Sequence, residues 1–154
     1  MLEWVLSENV WLTGRRRKVK EGWRVGESKK FVIPFLPPSM NSIYNVLFGL
    51  RRIELKPEVR LFKTKAKVYI PLLSPNSESH LFKLDMVFYY DFFFKNGKLR
   101  KVDSQNLMKV LIDAVAEKNG IGDEYFKFGS YESYHDAGSN KVECTLSSVI
   151  QETP

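Results

Sequence analysis

The fold prediction starts from residues 102–115, which read VDSQNLMKVLIDAV. The apolar residues of this stretch recur at helical spacing and form one face: Leu107, Val110, Leu111, Ala114 and Val115. We place the start of the helix near Asp103, because an acidic side chain at that position accepts hydrogen bonds from free backbone N–H groups. Gly120 is a natural stop for the helix.

The same predicted helix carries a polar face. Asn106, Lys109 and Asp113 share it, since residues three, four and seven apart lie on one side of a helix. One interpretation is purely structural: Asp103 caps the helix, Asn106 and Lys109 are solvated, and Asp113 pairs with Lys109. Periodicity does not exclude this interpretation.

A second interpretation assigns chemistry to this face. Phosphodiester cleavage needs hard oxygen ligands for Mg²⁺ and a cation near the scissile phosphate. Asp103, with Asp123 and Glu124 from the segment after the helix, would supply the ligands if that segment folds back. Lys109 would supply the cation. Carboxylates placed so close together repel one another unless a cation neutralises them.

Patterns in the rest of the chain predict a small single α+β domain. A strand is expected from Phe31 to Phe35, a basic helix from Pro57 to about Tyr69, and a long strand in SHLFKLDMVFYYDFFF at 79–94. KNGK at 95–98 indicates a hairpin turn. Two antiparallel strands, about 125–134 and 141–150, are expected to close the chain around the turn DAGSN. The order β, α, β, α, β, β predicts two helices packed on a mixed or antiparallel sheet.

Composition narrows the function classes. The chain has 154 residues with 44% hydrophobic residues, the size of one domain with its own core. One cysteine excludes an intrachain disulfide and a thiolate zinc cluster, and two histidines leave little for His-rich metal sites. No apolar run reaches the ~18 residues of a membrane helix, and no secretory signal is evident, so a cytoplasmic protein without membrane contact is expected.

A net charge of +6 favours a polyanionic partner. Residues 1–30 are the least regular part and contain a possible hairpin whose tip is basic, for which a solvated loop is the alternative. KLRK at 98–101 leads directly into Asp103. An aromatic side chain in MNSIYNVLF at 40–48 is a candidate for base stacking, with a place in the core as the alternative.

Four stretches in this order resemble the RusA family of Holliday junction resolvases. They are IPFLPPSMNSIY at 33–44, LKPEVRLFK at 55–63, VDSQNLMKVLIDAV at 102–115 and GIGDEY at 120–125. The third is similar to the family signature Asp-x-Asp-Asn-x-x-Lys followed by Asp-Ala. The resemblance covers about residues 31–150, which leaves residues 1–30 as an N-terminal extension and 151–154 as a tail.

The resemblance implies a RusA-like fold in an intertwined homodimer. It also implies a Mg²⁺-dependent endonuclease, with Mn²⁺ as a possible substitute, that resolves four-way DNA junctions by paired nicking in DNA recombination and repair. No small-molecule cofactor is expected. A C2 dimer would match the near-two-fold symmetry of the junction.

Site residues carry over from the family position by position. Asp103 and Glu124 stand at metal-ligand positions, with Asp123 beside the latter. Lys109 stands at the signature lysine, and Asn106 and Asp113 are expected to orient the other side chains. Basic residues expected to contact DNA phosphates are Arg15, Arg16, Arg17, Lys18, Arg60, Lys63, Arg100 and Lys101.

Gln105 departs from the family pattern, because the family has its second aspartate there. An amide can bind a metal through its carbonyl oxygen but contributes no charge and cannot act as a general base. The site would then cut with altered kinetics, or the protein would bind junctions without cutting them. A basic RNA-binding domain that stacks bases on strand aromatics is a further alternative.

Overall fold

The structure is a computed structural model that describes residues 22–38, 44–50, 52–73 and 79–151. Its strands and helices, in chain order, are β1 Trp23–Ile33, β2 Tyr44–Leu47, β3 Arg52–Leu55, α1 Pro57–Ala66, β4 Ser79–Tyr90, α2 Ser104–Asn119, β5 Phe126–His135 and β6 Lys141–Gln151. Short 3₁₀ turns occupy Phe48–Leu50 and Asp123–Tyr125.

The main sheet has four strands in the order β1-β6-β4-β5. It is mixed, because β6 runs antiparallel to both β1 and β4, whereas β5 runs parallel to β4 with α2 as the crossover. The predicted α+β domain with two helices and a mixed sheet is thereby confirmed. β2 and β3 form a separate two-stranded ribbon.

The prediction that the last two strands form a hairpin is wrong. β4 lies between β5 and β6, and the segment that joins them passes the carboxyl end of β4, where the Asp136 N–H donates to the Tyr90 carbonyl at 2.9 Å. Alternation of residue types identifies a strand but not its neighbour. The fully buried run at the end of β6 suits an inner strand, because such a strand is covered on both faces.

β1 begins at Trp23, well before the predicted start at Phe31. Its polar first half pairs with β6, where the Ser28 and Ser147 hydroxyls lie 2.7 Å apart and the Glu27 N–H donates to Ser148 Oγ. Those hydroxyl contacts satisfy polar groups in a stretch that lacks the apolar alternation of a typical strand. The predicted basic hairpin tip at 15–18 lies outside the described residues.

Both helices contribute to one core against the sheet. α1 begins at Pro57 as predicted and ends at Ala66, ahead of a turn that precedes Pro71. The largest fully buried side chains come from the sheet and both helices: Ile33, Val59, Leu84, Phe88, Leu107, Val110, Leu111, Val115, Val142, Leu146 and Val149. No helix in the described ranges is long and apolar enough to cross a membrane.

Candidate functional site

The signature segment forms the start of α2, and Asp103 is its N-cap. Asp103 Oδ1 accepts the backbone N–H groups of Gln105 at 3.0 Å and Asn106 at 3.2 Å. At the other end Gly120 adopts a left-handed conformation with φ 66°, which closes the last turn. The helix bounds and the cap therefore agree with the structural interpretation of this sequence.

The sheet topology fixes which end of the domain holds Asp103. β1, β4 and β5 run in the same direction, so their carboxyl ends meet at one edge, where Tyr90 pairs with His135. The chain leaves β4 at this edge, turns through residues 91–102 and enters α2. Asp103 and Gln105 therefore lie at the carboxyl edge of the parallel strands.

Asp123 and Glu124 lie at the opposite edge. They form the 3₁₀ turn that leads into β5, whose first residue, Phe126, pairs with Phe82 near the start of β4. Asp123 hydrogen-bonds the side chain of Asp113. Asp113 stands ten residues after Asp103, which is about 15 Å along a helix.

This separation tests whether the predicted ligands fit one Mg²⁺ ion. Asp103 and Gln105 stand at one end of α2, and Glu124 follows its other end, so within a single chain the three do not fit a common ion. No group of three or more His, Cys, Asp or Glu side chains suited to a metal occurs among the residues that the structure describes. The segment after α2 folds back as far as Asp113, which Asp123 contacts, and not as far as Asp103.

A charge cluster joins the two helices instead. Lys63 of α1 is buried, with 7% of its surface exposed, and donates to Glu117 of α2. Lys67 Nζ donates to the second Glu117 oxygen at 2.8 Å. Burial alone would raise the pKa of Glu117, but the hydrogen bonds from both lysines outweigh it and leave the pKa lowered.

Asp113 lies on the polar face of α2, and its pKa is raised. Burial raises its pKa, the charges of Lys109 and Lys63 oppose that rise, and the charge and hydrogen bond of Asp123 add to it. Lys109 Nζ lies 3.8 Å from Asp113 Oδ2, which is the pairing that the structural interpretation expected. Almost half of the Lys109 side chain stays exposed, so its charge also faces solvent.

The residues predicted to contact DNA have different environments. Lys63 is buried against Glu117, so its charge does not face a phosphate. Arg60 is exposed, although one guanidinium nitrogen donates to the Leu55 carbonyl. Arg100 and Lys101 are exposed beside the start of α2. Arg15, Arg16, Arg17 and Lys18 lie outside the described residues.

Sequence patterns missed an aromatic surface that surrounds Arg100. Residues 92–100 form a short hairpin, closed by a bridge between Phe93 and Leu99. Phe93 and Phe94 are 42% and 48% exposed, and the Arg100 guanidinium carbon stands 4.6 Å from the centre of the Phe94 ring. The signal was present in FFF followed by KNGKLRK, but we assigned the phenylalanines to the strand.

Phe48 resolves the question about the aromatic in MNSIYNVLF. It is 86% exposed at the tip of the β2–β3 ribbon, so its predicted alternative as a core residue is wrong. The neighbouring cation Arg52 is paired with Glu54 at 3.0 Å. The described residues of the ribbon therefore present apolar surface beside an arginine that is already paired.

Comparisons with known proteins add no family. No protein-family model matches the chain, and no curated protein matches it. Among solved structures, 2C-methyl-D-erythritol 2,4-cyclodiphosphate synthase from Plasmodium vivax overlaps 86% of this chain and 100% of its own, at 9% identity and a TM-score of 0.28. A likeness at that level carries no argument about fold or function.

Proposed function

We propose that this protein binds four-way DNA junctions and nicks them as a structure-selective endonuclease. The observation that supports the proposal most is a juxtaposition. The signature residues Asp103 and Asn106 begin α2, which follows the exposed cations and aromatic rings of residues 92–101 directly in the chain. DNA held on that surface would pass the first turn of α2.

The chemistry proposed is attack of water on a phosphodiester, which leaves a 5′-phosphate and a 3′-hydroxyl. Lys109 is suited to stabilise charge on the phosphate, since its side chain is partly exposed. Asp103, at the N-cap of α2, is the carboxylate proposed to act beside the bound DNA. The predicted Mg²⁺ ligands do not fit one ion within a chain, so the proposed roles are those of the protein's own side chains.

Two nicks in opposed strands require two active sites. We therefore keep the homodimer within the proposal, since a C2 pair presents two equivalent sites to a junction of similar symmetry. The buried Cys144 is not a rival nucleophile, because burial raises the pKa of its thiol and keeps it protonated.

A gel assay tests the proposal directly. A labelled four-way junction is incubated with the protein in EDTA, in Mg²⁺ and in Mn²⁺, beside a linear duplex of the same length. We expect a shift of the junction in EDTA and nicks near its centre in Mg²⁺ or Mn²⁺, and comparison with the EDTA lane shows whether nicking needs a divalent ion. Equal affinity for the duplex and the junction would refute the proposed structure selectivity.

A second candidate is a protein that binds junctions without cutting them. Two observations favour this candidate. Gln105 carries no charge at a position where the RusA family has aspartate, and Asp103 lies at the opposite end of α2 from Asp123 and Glu124. Gln105→Asp separates the two candidates. Nicking gained by this variant from an inactive parent would show that the parent only binds, whereas nicking by the parent would exclude this candidate.

A further inference from the structure

The 92–100 hairpin carries exposed cations and exposed aromatic rings side by side. Residues 91–101 contain four cations, Lys95, Lys98, Arg100 and Lys101, against one acid, Asp91. None of the four cations forms a salt bridge with any residue that the structure describes. The charges are thus available to an anionic partner.

Exposed rings lie among those charges. Phe93, Phe94 and Leu99 are 42%, 48% and 62% exposed. Water-exposed aromatic rings beside cations are the two components of single-strand recognition, because bases stack on the rings and phosphates meet the cations. An acidic or purely apolar protein surface would match only one of these components.

The hairpin is held in shape before any ligand arrives. Phe94 N–H donates to the Lys98 carbonyl at 2.8 Å, and Gly97, with φ 84°, donates to the Phe94 carbonyl at 2.9 Å. Arg100 N–H donates to the Phe92 carbonyl at 2.7 Å. A preformed loop loses less conformational entropy on binding than a flexible one.

Its base is fixed to the sheet. His135 Nδ1, at the end of β5, accepts the Phe92 N–H at 3.1 Å, and its ring lies 5.4 Å from the Phe92 ring and 5.3 Å from the Phe93 ring. Phe92 also packs 4.9 Å from Tyr90 of β4. The hairpin therefore projects as one piece from the edge where Asp103 begins α2.

We propose that the 92–100 hairpin binds an unpaired DNA strand, with Phe94 and Arg100 stacking a base and Lys95 and Lys98 contacting the phosphates. The inference rests on the proposed junction function. The hairpin would recognise bases that are unstacked at the centre of the junction. The hairpin delivers the adjoining phosphate to the start of α2.

Fluorescence anisotropy in EDTA tests this without any cleavage. Labelled single-stranded DNA, duplex and four-way junction are titrated with the parent, Phe94→Ala, Phe94→Tyr and the double variant Lys95→Ala/Lys98→Ala. Tyr134→Ala is the matched control, because Tyr134 is 50% exposed on β5 but donates to Glu132 rather than lying among cations. Thermal melting checks that each variant is folded.

We expect Phe94→Ala to weaken binding to single strands and junctions about tenfold and to duplex less than twofold, since stacking needs an accessible base face. Phe94→Tyr should bind like the parent. The lysine double variant should weaken all three and reduce the slope of log K against log salt by up to about 1.4 to 1.8, the value for two phosphates.

Distinct outcomes contradict distinct claims. Junction binding by the parent that Phe94→Ala leaves unchanged refutes the stacking role while the proposed function stands. If the parent binds no nucleic acid, the proposed function fails as well. Tighter binding of single-stranded RNA than of any DNA form would overturn the choice of DNA. A Phe94→Ala effect on self-association, measured by sedimentation, would reassign the surface to a second copy of the chain.

Discussion

Asp103 is assigned two roles that substitution can separate. It caps α2 through two backbone N–H groups, and it is the carboxylate proposed to act on the phosphodiester. Asp103→Ala removes both the acceptor and the charge. Asp103→Ser removes the charge but keeps a hydroxyl that can accept from the same N–H groups, because serine is among the preferred N-cap residues.

The magnitudes follow from the cap. Loss of an N-cap acceptor costs about 1 kcal/mol, and loss of the negative charge at the helix start about 0.3–1 kcal/mol. Asp103→Ala should therefore lower the free energy of unfolding by about 1–2 kcal/mol, or Tm by about 3–6 °C in a domain of this size. Asp103→Ser should lose only the charge contribution, about 1–3 °C.

Thermal denaturation by circular dichroism and junction nicking in Mg²⁺ are measured on the same three proteins. We expect nicking to be lost in both variants although Asp103→Ser stays folded. Nicking by Asp103→Ser at the parent rate would refute the catalytic role and leave the cap alone. A Tm of Asp103→Ala equal to that of the parent would refute the cap.

Three further predictions concern stability. Glu117→Gln removes the partner of the buried Lys63, so the free energy of unfolding at pH 7 should fall by about 1–3 kcal/mol, less than the loss for a fully buried pair. The pKa of Glu117 is lowered in the fold, so this loss should vanish as pH falls through that pKa in an acid titration of stability. Asp113→Asn should instead raise Tm at pH 7, because the raised pKa of Asp113 means that folding disfavours its charged form. This gain in Tm should vanish at acid pH, where Asp113 of the parent is already protonated. Gly129→Ala should cost about 2–4 kcal/mol in urea unfolding, since at φ 157° its new Cβ would meet the Leu84 carbonyl oxygen; a native-like midpoint would contradict that geometry.

Local patterns predicted the helices well. In α2 the apolar spacing, the acid at the start and the glycine at the end each act within a few residues, so both helix bounds could be predicted. The same holds for Pro57 at the start of α1. Such features depend on backbone hydrogen bonds that are local to the helix.

Partners distant in sequence were not predictable in the same way. The strands around 126–135 and 141–151 were found, but not the insertion of β4 between them, because pairing depends on which strands bury each other. The arrangement of the site was unpredictable for the same reason. The distance between Asp103 and Asp123 depends on α2 connecting opposite edges of the sheet, which the sequence pattern does not reveal. The burial of Lys63 likewise depends on how α1 meets α2.

The position of β6 has a consequence for how the chain folds. Ser28 and Ser147, which touch across β1 and β6, are 119 residues apart in sequence, and β6 is also the antiparallel partner of β4. A growing chain that has reached β5 can pair β4 with β5, but β1 gains its place only when β6 has been synthesised. Folding of this domain should therefore be slow and complete only after β6 has been synthesised, with the unpaired edge of β4 open to other chains in the interval.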